Sequence, residues 1–247
     1  MQHKTDHSAR NRLLEPDLLI LDCDGVVIDS EVISAETLIA LLSGWDIQID
    51  VAFVREHFLG RSFPTVAGCV YDLFGVRLPA RFESDYRQRL FETFETDLRL
   101  VAGVEALLDH LTVPFCIATS SSPIRVARSL ELTGVRARFG DRVFTASEVA
   151  HGKPAPDLFL HAARKMNTAP DKCLVVEDSS VGLQAALSAG MHAAWFTGGA
   201  HMRKMADTDI EVAGFPKGPH FKVSAFDELF DQAPGIGRRP DGEVHGS

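Results

Sequence analysis

The chain has 247 residues, 45% of them apolar and 24% charged, with a formal net charge of −9. This is an ordinary globular composition for one to two domains with a sizeable core. The acidic excess argues against a nucleic-acid-binding surface, and no run approaches the roughly 20 apolar residues of a membrane span.

Residues 1–14 are polar and read as a loose tail with no apolar stretch of signal-peptide type, so a cytoplasmic location is expected. After Pro16 an apolar strand, Leu18 to Leu21, runs straight into Asp22 and Asp24, spaced i, i+2. Alternate side chains of a strand face opposite sides. Where the chain leaves the pleat, both carboxylates can turn toward one cleft, and Gly25 supplies the backbone freedom for that turn.

Residues 30–45, SEVISAETLIALLSGW, have helical spacing, with Ser30 as N-cap and Gly44 as stop. The pattern stays helical to about residue 95. In RFESDYRQRLFETFETDL, Phe82, Tyr86, Leu90, Phe91 and Phe94 fall near one face. From Val101 the rhythm changes to alternating helices and strands. The apolar strands lie in VPFCIATS, RVFTA, KCLVVED and MHAAWFTGG, and FDELF is a last short helix. Continuous apolar strands signify a parallel sheet covered on both faces. The expected fold is therefore α/β: a Rossmann-like parallel sheet, residues 15–29 and 98–233, with an inserted all-helical domain, 30–97. Residues 234–247, PGIGRRPDGEVHGS, read as a flexible tail. The four cysteines, Cys23, Cys69, Cys116 and Cys173, form no CxxC pair and read as reduced, mostly buried thiols.

Parallel sheets bind ligands beyond the carboxyl ends of their strands. Those positions carry Asp22 and Asp24, the serines Ser120, Ser121 and Ser122, Lys153 in the loop GKPAPD, and Glu177 with Asp178. Each has an ordinary structural alternative. The two aspartates could form a turn or a cap, Ser120 could cap the helix after Pro123, Lys153 could be a solvated loop residue, and Glu177 and Asp178 could cap the helix near Ser179. Their joint occurrence at matching strand ends decides for phosphoryl transfer. Hard carboxylate oxygens suit Mg²⁺, a carboxylate can attack phosphorus, and a lysine and a hydroxyl can hold the phosphoryl oxygens. His151, near Lys153, reads as a loop residue without a role. No GxxxxGK[ST], GxSxG, GxGxxG or HExxH motif is present.

In combination these segments resemble the haloacid dehalogenase superfamily of phosphohydrolases, in the branch with a helical cap that includes beta-phosphoglucomutase-like and 6-phosphogluconate phosphatase-like members. DCDGVV resembles the nucleophile motif, ATSSS the hydroxyl motif, GKPAPD the lysine motif and VVEDSSVG the acidic motif. The resemblance spans about residues 17–232. It implies a Mg²⁺-dependent phosphatase acting through an aspartyl-phosphate on a small phosphorylated metabolite, a sugar or sugar acid, as monomer or homodimer. Asp22 is then the nucleophile and Asp24 the acid/base group. Asp22, the Asp24 carbonyl and Asp178 hold the metal with Glu177 in or near its shell, and Ser120, Ser121, Lys153 and the Gly25 amide hold phosphate.

The presence of Asp24 separates the chain from true dehalogenases. A phosphosugar mutase is the alternative, but Ser34 stands where those mutases carry a cap histidine, and Phe63 stands where they carry a cap arginine. Arg61, beside the cap glycine Gly60, is a candidate substrate contact. A receiver-like phosphate-responsive module is disfavoured by the chain length, the helical insertion and Asp24.

Overall fold

The computed structural model describes residues 14–58, 63–202, 212, 214 and 218–240. Six strands form one parallel sheet: β1 (Leu18–Leu21), β2 (Phe115–Thr119), β3 (Val143–Thr145), β4 (Cys173–Glu177), β5 (His192–Phe196) and β6 (Phe221–Val223). The spatial order is β3-β2-β1-β4-β5-β6. β1 is thus central, with Leu21 in register with Ile117 of β2 on one side and Val176 of β4 on the other. The strand order reverses around β1, the topological switch point where such sheets open a crevice at their carboxyl ends.

Ten helices accompany the sheet among the described residues: α1 (Glu31–Ser43), α2 (Val51–His57), α3 (Phe63–Phe74), α4 (Phe82–Asp97), α5 (Val104–His110), α6 (Pro123–Leu132), α7 (Arg136–Phe139), α8 (Asp157–Lys165), α9 (Ser180–Ser188) and α10 (Asp227–Gln232). All four residues of β1 are fully buried, and so are all five of β4. Their alternate side chains feed two clusters, Leu19 and Leu21 on one face and Leu18 and Ile20 on the other. That explains why these strands read as unbroken apolar runs.

A third cluster, built on Leu38, Leu42, Val54, Val66, Val70 and Phe82, belongs to α1–α4 alone and gives the insertion a core of its own. α4 crosses the boundary, because Leu90 and Phe94 pack into the sheet's core instead. Its N-terminal half belongs to the cap and its C-terminal half to the body.

Three local expectations are corrected. β6 is an addition to the expected strands, because three residues with an intermediate-exposed-buried pattern carry no apolar run. Residues 234–240 are built onto the body: Ile236 is fully buried, Thr112 N donates to its carbonyl at 2.8 Å, and Arg239 bonds Asp227 and Asp231. Ser30 stands at the N-cap of α1, but its hydroxyl makes no cap bond and donates to Asp24 instead.

Candidate active site

β1 and β4 end side by side, so their next residues meet. Asp22 N still donates to the Val176 carbonyl at 3.0 Å, which fixes Asp22 against the end of β4. One carboxylate oxygen from each of Asp22, Glu177 and Asp178 lies within 4.8 Å of the others, and all three side chains are buried. Lys153 reaches in from the β3–α8 loop. Its Nζ donates to Asp22 Oδ1 and to Glu177 Oε1, both at 2.5 Å, and its side chain is only 3% exposed.

Glu177 is held at both ends. Its second oxygen accepts from Ser179 N at 3.0 Å and Ser179 Oγ at 2.9 Å. Ser179 in turn caps α9, accepting from Gly182 N. A Cβ at Gly182 would collide with the Glu177 carboxylate, so the first turn of α9 makes room for that side chain. Asp178 pairs with His201 Nε2 at 2.9 Å, and its carbonyl accepts from Trp195 Nε1.

Gly25 adopts φ +79°, and a Cβ there would run into the Asp178 carboxylate. Its amide donates to the Ile28 carbonyl at 2.8 Å, so that hydrogen is not offered to a phosphate. Gly25 acts through its conformation and its small size.

The Asp24 carboxylate lies outside the acidic cluster. Oδ1 accepts from Ser30 Oγ at 2.5 Å and Arg125 Nη2 at 2.7 Å, and Oδ2 accepts from Ser121 Oγ at 2.5 Å. Ser121 is therefore committed to Asp24. Ser120 lines the cavity in front of it, and Ser122 is the residue that caps α6. His151 lies away from the cavity, paired with Asp157. Arg61 falls outside the described residues.

Arg125 was not among the residues singled out from sequence. It sits in the first turn of α6, three residues after the Ser122 cap, and its guanidinium packs 5.5 Å from the Phe94 ring. Nη2 also donates to Ser34 Oγ of α1 at 3.1 Å. One side chain thus ties the body, the acid Asp24 and the cap together. The spacing SSSPIR was the available signal, since it puts Arg125 on the turn that starts at the strand end.

The charges are unevenly balanced. Burial raises Asp22 well above the usual carboxylate range, with Glu177 and Asp178 adding to the effect against the pull of Lys153. Burial and repulsion from Glu177 raise Asp178 likewise. Burial pushes Asp24 up too, but Arg125 and the Ser121 and Ser30 hydroxyls outweigh it and hold Asp24 below its ordinary value. Glu31, on the same wall, is driven by burial up to about 8. Four carboxylates, Asp22, Asp24, Glu177 and Asp178, therefore face two fixed cations, Lys153 and Arg125. The donor set is hard oxygen with more carboxylates than cations, which fits a divalent cation.

These groups open into a cavity of about 730 Å³ between the sheet end and the cap, walled by α1, α3 and α4 residues such as Leu38, Phe63, Tyr86 and Phe91. Residues 16–190 match the family model of the haloacid dehalogenase-like hydrolases. The chain belongs to this family.

Among relatives of this hydrolase is 6-phosphogluconate phosphatase of Escherichia coli, 29% identical over 194 residues, covering 78% of this chain and 87% of that protein. The fructose-1-phosphate phosphatase YqaB of Escherichia coli is 32% identical over 182 residues, covering 71% and 93%. The crystal structure of a haloacid dehalogenase-like protein of unknown function from Agrobacterium tumefaciens superposes with a TM-score of 0.73 at 32% identity, covering 86% of this chain and 95% of that one. No helix among the described residues is long and apolar enough to cross a membrane.

Proposed function

We propose that this hydrolase is a Mg²⁺-dependent phosphatase that cleaves a small phosphorylated metabolite, of the sugar or sugar-acid class, through an aspartyl-phosphate on Asp22. The observation that carries this reading is the convergence of Asp22, Lys153, Glu177 and Asp178 at the adjacent ends of β1 and β4. The phosphatases named above, for 6-phosphogluconate and fructose 1-phosphate, support the substrate class.

Asp22 attacks phosphorus, forming an O–P bond as the ester oxygen departs. Asp24, a carboxylate in the unliganded site, takes up a proton as the substrate displaces its hydroxyl donors Ser30 and Ser121, gives it to that oxygen, and later takes one from the water that hydrolyses the aspartyl-phosphate. Asp24 lies beside the cluster on its own donors, a separation suited to a group that works at the leaving oxygen. Lys153 turns from its carboxylates to the phosphoryl oxygens, with Ser120 on the cavity side of the same group.

Asp22 and Asp178 are the direct metal ligands in this reading, with the Asp24 carbonyl. Glu177 has both oxygens spent on Lys153 and Ser179, so it orients the lysine. A bound divalent cation offsets the repulsion between the Asp22 carboxylate and the phosphoryl group. The cap excludes water while the ester is cleaved. Ser34, at the place of the mutase histidine, is occupied as the acceptor of Arg125, which favours hydrolysis over phosphoryl return.

The test is Asp22→Asn assayed with p-nitrophenyl phosphate and Mg²⁺. The expected loss is on the order of 10³-fold or more in turnover, and retained turnover sinks the nucleophile assignment.

A further inference from the structure

The cavity has three cationic side chains on its described walls: Lys153, Arg87 and Arg125. Lys153 spends two of its three donors on Asp22 and Glu177, at the phosphoryl end of the site. Arg87 stands at the cap side, and its Nη2 is spent on Glu83 at 2.5 Å, with half of its side chain exposed. Arg125 differs from both. Its side chain is only 21% exposed, and all of its hydrogen bonds run through one nitrogen, Nη2, to Asp24 and Ser34. Nε is buried without a hydrogen-bond partner, and no bond is made by Nη1 among the described residues. A guanidinium carries five N–H donors in a fixed fork. Three of them are unused here, and the one on Nε is buried, where an unmet donor is costly.

Position decides what these donors are for. Nη2 lies 2.7 Å from Asp24, the carboxylate assigned to the leaving oxygen, and Arg125 lines the same cavity, so its fork is on the leaving-group side of the proposed site. We propose that Arg125 selects the leaving group, its unused donors binding an oxyanion that the substrate carries near the esterified carbon. This rests on the phosphatase reading and narrows it to esters of hydroxy acids, sugar acids above all, over neutral polyols. Lys153 holds the phosphoryl oxygens and Arg125 the second anion, so an ester with two anionic groups can enter a pocket whose own carboxylates would repel it. A carboxylate and a second phosphate share this chemistry, and the substrate panel separates them.

The experiment compares kcat/KM for an aldonic acid phosphate, the neutral polyol phosphate of equal chain length and a sugar bisphosphate, in the wild-type protein and in Arg125→Gln and Arg125→Lys. Binding of the first two to Asp22→Asn, with and without Arg125→Gln, is measured by calorimetry.

The wild-type protein is expected to prefer an anionic ester over the polyol phosphate at least tenfold. Arg125→Gln should erase that ratio through KM, and Arg125→Lys should restore part of it. Preference for the bisphosphate alone assigns the second anion to phosphate. Equal loss on all substrates, or no wild-type preference, overturns the proposal and leaves Arg125 as a positioning residue for Asp24. Failure of the folded wild-type protein to cleave any ester sinks the phosphatase reading instead. In that case the tenfold binding difference to Asp22→Asn, present or absent, still decides the role of Arg125.

Discussion

Lys153 is the single side chain that holds two buried carboxylates together, so its removal should be felt twice. Lys153→Met leaves Asp22 and Glu177 facing each other without a counter-charge, at a cost of about 3 kcal/mol. Without the pull of Lys153, Asp22 would ionise still less readily in the folded state. The loss should therefore grow as pH rises above the unfolded carboxylate range, being larger at pH 8 than at pH 5 in urea titrations. An equal loss at both pH values would contradict the arrangement. Gly182→Ala should act on the same pair from the other side. A methyl group there must displace the Glu177 carboxylate, costing about 1–3 kcal/mol and lowering turnover, though residue 182 touches no substrate.

At this scale the sequence was informative wherever chemistry follows a strand. Asp22, Asp24, Lys153, Glu177 and Asp178 were all identifiable from their positions. Side-chain direction was not. That Ser121 and Arg125 serve Asp24 depends on contacts 97 and 101 positions apart, and that Ser30 turns its hydroxyl to Asp24 rather than capping α1 depends on a side-chain direction that spacing does not give.

Among the elements, α4 carries the most consequence because it is shared. Phe94 is 1% exposed in the sheet's core and also lies under the Arg125 guanidinium. Phe94→Ala should cost about 3–5 kcal/mol of stability and also loosen the hold on Asp24. A stability loss without a change in kcat would separate the two roles. The terminal segment makes the opposite point. Its Gly, Arg, Pro and Asp content reads as disorder, yet Ile236 fills the core and Gly237 pairs with Leu111. Ile236→Ala is expected to cost about 2–4 kcal/mol in denaturant unfolding, whereas a loose tail would give no change. β6 is illegible for a related reason: Phe221–Val223 has Lys222 exposed at its centre and only Val223 buried, whereas β3, an edge strand of the same length, buries two of its three residues, and β1 and β4 are buried throughout.

For the molecule as a whole, the alternation of strands and helices was enough to give a parallel sheet, and the long helical stretch gave the cap. In the proposed reaction, metal binding is a property of the assembled site. Asp22 and Asp178 are raised in the folded protein, so the folded state retains protons there that the unfolded chain has released, and stability falls as pH rises through that window. A divalent cation bound by Asp22 and Asp178 would displace those protons. Mg²⁺ at about 100 times its dissociation constant should add roughly 2.7 kcal/mol, which for a chain of this size is about 5–10 °C in Tm. The gain should be greater at pH 8 than at pH 5.5; a pH-independent gain would place the ion elsewhere. The central claim, that Asp22 becomes covalently phosphorylated, is tested most directly by acid-quenching the enzyme during turnover of a phosphate ester with Mg²⁺ and mapping the modified peptide by mass spectrometry. The phosphoryl group is predicted on Asp22 and absent from Asp22→Asn; phosphate release with an unmodified Asp22 peptide at every quench time would contradict it.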